Sequence, residues 1–440
     1  MGISLPGLAS GLDSASLIKQ LMQLEAIPQT LLKNKATVTT STVTVLQALN
    51  TRISDLAELA KTTGKPEALD LHTASSSSES VTATVGKGAG AGSLDIVVES
   101  LATKQTSVSQ AMTAWTGDLT IDGANGPVTV TGDSIDSLLT AINNSEAGVT
   151  AMKVSAGKDE FGENQYRLQL TSAETGAASA FTVTGLTTTE TSEAKDASVK
   201  LWAGTAAEQT VTSSSNTFDD LLPGVAVTVS KASADPVTLT VARDTEGATK
   251  VAEDFITKLT EVFSFIDSRS KVTTTTDASG NPKTEGGIFQ GDSTVRAAKQ
   301  SLMTAISMPI NGHSPSEIGI SVTKTGTIEF DAEKFAAALT EDPTKVESAL
   351  AGLATRVADA AGIQSDKYDG VLTSRIKGQE SLARNLNDQV AEWDNRLAKR
   401  QSTLERTYAA LEVRMSALNS QSSWLSSQIA SLPTYEGSKK

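Results

Sequence analysis

Both ends of this 440-residue chain carry apolar residues at the spacing of long amphipathic helices, and the stretch between them is rich in Thr, Val and Gly. Helical stripes of this kind are buried only when another helix packs against them. We therefore expect the two ends to pack on each other and then on other copies or proteins. This layout favours an assembly protein over an enzyme.

The N-terminal region predicts two helices. The first begins near Asp13, whose carboxylate can cap the first turn, and Pro28 kinks or restarts it. Residues 37–45 contain only Thr, Val and Ser, which lose rotamer freedom in a helix, so we expect a flexible joint there. The second helix should end at the breaker Gly64 to Pro66. Its core positions are Leu46, Leu49, Ile53, Leu56 and Ala60.

The C-terminal region has the strongest helical pattern in the chain. Its apolar residues recur at spacings of three, four or seven, as a coiled-coil seam requires. These residues are Val390, Trp393, Leu397, Leu404, Tyr408, Leu411, Met415, Leu418, Leu425, Ile429 and Leu432. Arg400 and Ser422 also lie on the seam, and we expect them to weaken it locally or to select its register.

The middle of the chain predicts many short antiparallel strands. Ser75–Ser78 is expected to be a linker before strands at Val81–Val85 and Leu94–Leu101. The loop GKGAGAG, residues 86–92, fits neither phosphate-binding glycine pattern, so it is expected to connect a hairpin. Eight further strands are predicted at Leu119–Ile121, Val128–Thr131, Gly148–Val154, Tyr166–Thr171, Phe181–Thr184, Val199–Trp202, Gly224–Ser230 and Val237–Ala242.

Helical spacing also appears within and after the strand-rich region. Residues 133–139 and 216–222 each begin with capping residues, and each predicts a short helix. A hairpin turning at Gly326 is predicted within residues 319–331. The further helices are predicted at Val251–Arg269, Asp292–Ile306 and Ala332–Leu339.

Several classes of chemistry find no support in the composition. There are 0 cysteines, which excludes disulfides and thiolate sites, and the formal charge of -14 argues against nucleic-acid binding. His72 and His313 lie in no metal-ligand spacing, and the acidic residues 156–164 suit a solvated hairpin tip better than a calcium loop. We expect no cofactor and no metal.

The N-terminus has no basic region before an apolar stretch, because its first cation is Lys19, and no apolar run could span a bilayer. We expect neither membrane insertion nor a cleavable signal peptide. These features are typical of a cytoplasmic protein, although an export route without a cleaved signal would leave the same pattern.

Three segments resemble one family when they are taken together. They are GLASGLDSASLIKQLMQLE at 7–25, GDLTIDG with SIDSLLTAIN within 117–143, and LEVRMSALNSQSSWLSSQIA at 411–430. They are similar to the bacterial flagellar filament-capping protein family, FliD, also called hook-associated protein 2. Further blocks match in order at 214–229, 286–296 and 319–335, so the resemblance covers nearly the whole chain. Tyr408 stands where the family often has Phe.

The resemblance implies a structural cap at the distal end of the flagellar filament, outside the cell, that promotes flagellin folding and incorporation and prevents flagellin loss. It implies a homo-oligomeric ring of about five subunits. Further implied partners are flagellin and the filament end, the hook–filament junction proteins, the flagellar type III export apparatus and an export chaperone that binds near the C-terminus.

The implied fold is α+β, with terminal helices forming a coiled-coil leg and a helical-bundle domain, and with inserted antiparallel β-rich head domains. The expected parts are an N-terminal leg at 1–36, a helical leg domain with a small hairpin at 37–73 and 245–385, a β-rich head at 74–114 and 195–244, a second head at 115–194, and a C-terminal leg at 386–440.

The resemblance also assigns contact residues for the filament and for other copies. Those in the N-terminal leg are Gly7, Leu8, Gly11, Leu12, Asp13, Leu17, Leu21 and Met22. Those in the C-terminal leg are Leu411, Met415, Leu418, Asn419, Ser420, Gln421, Leu425 and Ile429.

Two alternatives stay open from the sequence. The first is a surface adhesin that binds host glycans or proteins through the β-rich head. The second is a wall-lytic enzyme, which the sequence disfavours because no catalytic constellation is visible and only 4% of residues are aromatic.

Overall fold

Most helices and most strands occupy separate parts of this α+β protein. The computed structural model describes residues 13–276 and 279–431. One compact unit is built from the chain up to Ala68 together with the chain from Thr249, and a second unit is Leu69–Ala248. The first unit is mainly helical and the second is mainly β-structure. The predicted α+β class, with helices at both ends of the chain, is confirmed.

The helices of the described residues are mostly in the first unit, and only α3 lies wholly in the second. They are α1 (Ser14–Glu25), α2 (Ile27–Thr63), α3 (Ile135–Asn143), α4 (Thr245–Ser270), α5 (Ser293–Ser307), α6 (Ala332–Glu341), α7 (Pro343–Ser365) and α8 (Val371–Ala430). The predicted helices at 251–269, 292–306 and 332–339 correspond to α4, α5 and α6.

The β-rich unit contains the strands between α2 and α4. They are β1 (His72–Ser76), β2 (Val81–Val85), β3 (Gly92–Ser100), β4 (Thr106–Ser109), β5 (Gly117–Gly123), β6 (Gly126–Gly132), β7 (Val149–Lys158), β8 (Asn164–Ser172), β9 (Thr182–Thr184), β10 (Thr188–Ser192), β11 (Ala197–Leu201), β12 (Gln209–Ser213), β13 (Thr217–Leu222), β14 (Val225–Val229) and β15 (Ser233–Arg243). The eight further strands predicted from alternation overlap β5 to β9, β11, β14 and β15.

These strands form four antiparallel sheets, with the orders β1-β15-β3-β11-β12, β10-β4-β8-β7, β13-β14-β2 and β6-β5-β9. Two hydrophobic clusters are buried among them. One includes the fully buried Ile96 and Leu239, and the other includes Leu138 of α3 and Leu168 of β8. The unit therefore holds two separate cores, while the predicted domain boundaries stay a prediction.

The helical unit carries two small hairpins, β16 (Val272–Thr276) with β17 (Pro282–Gly286) and β18 (Ile320–Val322) with β19 (Ile328–Phe330). The second hairpin turns at Gly326, whose φ of +79° favours glycine. This confirms the hairpin predicted there from the sequence.

The predicted flexible joint at residues 37–45 is wrong, because α2 runs through it as one helix. The hydroxyl of Thr39 donates to the carbonyl of Lys35 at 2.8 Å, and Thr37, Thr42 and Thr44 make the same kind of bond one turn back. Thr39 and Val43 are also buried. Packing against other helices therefore overrides the weak helix propensity of this segment.

The two segments predicted as short helices differ. Ser134 begins α3 with a capping box, in which its hydroxyl and the hydroxyl of Ser137 each accept a bond from the other's backbone N–H. Residues 216–222 instead contribute β13, and the prediction of a helix there is wrong. Phe218 of β13 is buried and pairs with Val227 of β14. Pairing with a distant strand outweighs the local capping signal.

Two predicted connections are also wrong. Ser75 and Ser76 do not belong to a linker, because they lie in β1 and pair with Thr240 and Leu239 of β15. The loop at 86–92 does not close a hairpin, since β2 pairs with β14 whereas β3 pairs with β11 and β15. Turn signals mark where a strand ends, but they do not tell which strand becomes its neighbour.

Candidate functional site: the paired terminal helices

The N-terminal helix is positioned by its cap and by a break. Asp13 precedes α1, and its carboxylate accepts a hydrogen bond from the backbone N–H of Ser16 at 3.0 Å. α1 ends at Glu25, and Pro28 lies in the first turn of α2, where it needs no hydrogen-bond partner. These two features confirm the predicted cap and the predicted restart.

α8 runs antiparallel to α1 and α2. The amide of Gln47 donates to the Glu380 carboxylate at 3.0 Å, and the hydroxyl of Ser14 donates to the Glu412 carboxylate at 3.3 Å. A lower number on one helix therefore meets a higher number on the other. The expected packing of the two chain ends on each other is present in the structure.

α2 presents one continuous buried stripe. Its buried residues recur at spacings that keep them on one side of the helix. They are Gln29, Ala36, Thr39, Val43, Leu46, Leu49, Ile53, Leu56, Ala57, Ala60 and Thr63. Among them, Gln29 donates to the carboxylate of Asp394, so this polar member of the stripe is satisfied. The stripe fixes α2 against its neighbours and so supports the helix pair.

The seam of α8 becomes more exposed toward its C-terminal end. Leu372, Ile376 and Leu386 are buried near the start of the helix. The middle seam residues Val390, Trp393, Leu397, Leu404 and Tyr408 are half-buried. Past Glu412 no residue is buried as far as Ala430. The last 18 residues of this helix, about five turns, therefore have little contact with the described part of the chain.

An apolar groove lies between α1 and α8, with a volume of about 850 Å³. Ile18 and Met22 line one wall, and Leu397 and Tyr408 line the other. The groove exists because small residues such as Ala15 leave the helices incompletely packed. Its shape and chemistry suit an apolar helical segment better than a small polar ligand.

Charged residues stand at the edges of this helix pair. Arg400 was predicted to weaken the seam locally or to select its register, and the structure places its Nε 2.8 Å from a carboxylate oxygen of Glu25. The groove lining includes the exposed Lys19 and Glu405 and the buried Glu412. Arg400 therefore does not disrupt the pair, because α1 supplies a carboxylate for it. Ser422, the other polar seam position, is exposed.

The structure distributes the predicted contact residues in three ways. Gly7, Leu8, Gly11 and Leu12 lie outside the described residues. Met22 lines the groove, whereas Leu17 and Leu21 are each 37% exposed beside it. On α8, Met415 is half-buried, and the exposed members are Leu411, Leu418, Asn419, Ser420, Gln421, Leu425 and Ile429. Their assignment as contacts stays a prediction.

Sequence reasoning did not assign Ile18 and Ala15 to the site, although both line the groove. Ile18 lies four residues before Met22, which the family resemblance assigned as a contact, so helical spacing from Met22 could have identified Ile18. Ala15 gave no such signal, because a small residue contributes to a groove only through the partner helix that faces it.

A local ion cluster surrounds Glu317, which lies between His313 and α7. Glu317 accepts bonds from Lys345 at 2.8 Å, from the backbone N–H of Ser314 at 3.0 Å and pairs with His313 at 3.1 Å. These partners, with Lys345 the strongest, lower the pKa of Glu317 to about 2. The cluster holds the loop at His313 against α7.

Residues 13–276 and 279–431 contain no group of three or more His, Asp or Glu side chains placed to hold a metal ion. No helix in them is both long enough and apolar enough to cross a membrane.

The sequence matches two family descriptions, "Flagellar hook-associated protein 2 C-terminus" over residues 194–420 and "Flagellar hook-associated protein 2 N-terminus" over residues 10–105. It is 25% identical to flagellar hook-associated protein 2 of Escherichia coli strain K12 over 434 residues, which are 89% of this chain and 90% of that protein.

Other relatives are also hook-associated proteins. The chain is 27% identical to the A-type protein of Pseudomonas aeruginosa, over 91% of this chain and 93% of that protein. It is 27% identical to the lateral protein of Vibrio parahaemolyticus, over 66% of this chain and 63% of that protein. The D1-D2-D3 domains of the Escherichia coli flagellar cap protein FliD share its fold, with a TM-score of 0.60 at 22% identity over 76% of this chain and 99% of that one.

Proposed function

Because this chain belongs to the flagellar hook-associated protein 2 family, it is a structural protein of the flagellar filament cap, and we propose that its paired terminal helices contact the filament end. In this role the cap promotes flagellin folding and incorporation and prevents flagellin loss. The family is not an enzyme family. No comparison favours the adhesin alternative.

The main support for this proposal is the exposed C-terminal end of α8. The 18 residues from Val413 to Ala430 form a helix about 27 Å long with no buried side chain. Leu418 and Leu425 on it are 57% and 54% exposed, one heptad apart. A helix of this length gains most of its stability from packing, so these leucines mark a surface for a protein partner. Flagellin at the filament end is the partner that the cap function requires.

The groove between α1 and α8 also supports a contact between the terminal helices and flagellin. Its apolar walls, formed by Met22, Ile18, Leu397 and Tyr408, leave room for part of another helix. The contact between α1 and α8 is sparse and partly polar at this end, with Ser14 bonded to Glu412. A sparse helix pair can exchange one partner helix for another at low cost, which suits a cap that moves as each flagellin subunit is added.

The cap function implies further partners that we include in the proposal. They are other copies of the chain in a ring of about five, and the hook–filament junction proteins. The other proposed partners are the flagellar type III export apparatus and an export chaperone that binds at the C-terminus. The exposed Leu418 and Leu425 support the chaperone, because an apolar helix face needs shielding before assembly.

The proposal is tested by making the exposed end of α8 polar in cells that produce only the altered protein. We expect the double variant Leu418→Gln with Leu425→Gln to give short filaments and to release flagellin into the medium. Electron microscopy measures filament length, and an immunoblot of the medium measures released flagellin. Far-UV circular dichroism of the purified variant verifies that the helices are retained.

The matched control is Ser416→Gln with Ser427→Gln, two exposed positions of the same helix that introduce the same side chains. We expect filaments of normal length from it. Normal filaments from the leucine variant would refute the proposed contact. Equal defects in both variants would show that the effect is not specific to the leucine face.

A further inference from the structure

The face of α8 that points away from α1 carries a second stripe of residues. We call it the outward stripe, and it consists of Arg396, Lys399, Arg406, Ala410, Val413 and Trp424. At about 100° per residue, each of these lies about 120° to 180° around the helix from Tyr408, which lines the groove. The outward stripe is therefore distinct from the groove, and its apolar members Val413 and Trp424 lie about 100° to 140° around the helix from Leu418 and Leu425.

The C-terminal half of the stripe is apolar and unusually exposed. Val413 is 66% exposed and Trp424 is 64% exposed, three helical turns apart on the same face. A single exposed apolar residue needs no explanation, but two on one stripe with only small residues between them do. Ala410 and Ala417 lie between or beside them and would let another helix approach closely.

The N-terminal half of the stripe is basic. The side chains of Arg396, Lys399 and Arg406 are exposed, and none forms an ion pair with a carboxylate of the described residues. The only carboxylates between residues 396 and 430 are Glu405 and Glu412, and both line the groove on the other side. Asp388 and Glu392 lie on the same face just before Arg396, so positive charge predominates on the outward face only from Arg396 onward, although the whole chain has a net charge of -14.

We propose that the outward stripe binds an acidic amphipathic helix of another protein. The three- and four-residue spacing of the stripe matches the seam of a two-helix coiled coil, and the apolar half supplies the contact area. The basic half selects a partner with carboxylates on its flanks and speeds its association. This inference does not depend on the proposed filament contact, because its apolar contact area is Val413 and Trp424 and not Leu418 and Leu425.

The full-length protein can be tested with a synthetic helical peptide of about four heptads that has Leu and Ala on one face and Glu on its flanks. Trp424 is a reporter at the site, so binding should shift its fluorescence to shorter wavelength, and Trp424→Phe should remove the shift. We expect the affinity to fall about tenfold between about 50 and 500 mM salt, because the charge pairs are exposed.

Reversing the charge of the outward stripe provides a second test of the proposal. Arg396→Glu with Arg406→Glu should weaken binding of the Glu peptide at least about tenfold, and it should create binding of a matched Lys peptide. Leu418→Gln with Leu425→Gln should leave the peptide affinity unchanged. That result separates the outward stripe from the proposed filament contact even if the filament proposal fails.

Several outcomes would overturn the proposal. One is a Glu peptide that leaves Trp424 fluorescence unchanged, and another is equal binding of the Glu and Lys peptides by the unaltered protein. A shift produced by phosphatidylglycerol vesicles but not by the peptide would assign the stripe to a membrane surface. A shift that depends only on protein concentration would assign it to a second copy of the chain.

Discussion

The Thr- and Val-rich part of α2 allows a sharp test, because two valines five residues apart have opposite surroundings. Val43 is 9% exposed in the buried stripe, and Val38 is 62% exposed on the outer side. Replacing each with alanine removes the same two methyl groups from the same helix. We expect Val43→Ala to destabilise the helical unit and Val38→Ala to leave its stability almost unchanged.

The expected magnitudes follow from burial and helix propensity. For Val43→Ala, two buried methyl groups contribute about 1.6 kcal/mol, and the cavity left behind adds on the order of 1 kcal/mol. The higher helix propensity of alanine stabilises the folded state by about 0.6 kcal/mol and offsets part of this loss. The net loss is about 2 kcal/mol. For Val38→Ala, the smaller loss of burial and the gain in propensity nearly cancel, leaving a change within about 0.5 kcal/mol.

Urea unfolding followed by circular dichroism at 222 nm measures this difference. Most helices belong to the unit that contains α2, so this signal reports mainly on that unit. We expect a lower midpoint for Val43→Ala at an unchanged slope, and a thermal midpoint lower by roughly 4 °C or more. If Val43→Ala unfolds like the unaltered protein, or if Val38→Ala is the more damaging change, the packed continuous helix is refuted.

Two further predictions concern charge pairs. The pKa of Glu317 lies at about 2, below its ordinary value of 4.5, so its stabilising contribution is present above about pH 4.5 and lost as the pH falls through 2. The thermal midpoints of the unaltered protein and of Glu317→Gln should therefore converge over that interval, and a constant difference would contradict the ion cluster with Lys345. For Arg400 and Glu25, a double-mutant cycle of glutamine variants should give a coupling of about 0.2–1 kcal/mol that shrinks at high salt, whereas zero coupling at low salt would reject the pair.

Much of the fold could be predicted because its signals are local. The cap at Asp13, the restart at Pro28 and the alternation of the middle strands depend on residues close together in sequence, and each was confirmed. The wrong predictions concern features that depend on residues far apart in the sequence. β13 became a strand because of β14, and the loop at 86–92 joined two sheets because of the partners of β2 and β3.

The candidate site also has features that the sequence predicted and features that it could not predict. Spacing alone placed Leu17, Leu21 and the leucines of α8 on helices that were expected to pair, and it identified Arg400 as a polar seam position. It could not show that Glu25 would stand opposite Arg400 at 2.8 Å. It also could not show that Ala15 would help to open a groove, because both facts depend on how two distant helices are aligned.

The sequence by itself determined that this chain has helical ends, a β-rich middle and no cysteine chemistry, because periodicity and composition are properties of neighbouring residues. It also carried the segments by which the family is identified. Only the tertiary structure decided that residues 37–45 continue a helix, since Thr39 and Val43 are stabilised there by burial. Only it divided α8 into a face toward α1 and an outward stripe. The two faces of α8 differ because another helix covers one of them, and that helix, α1, comes from the other end of the chain.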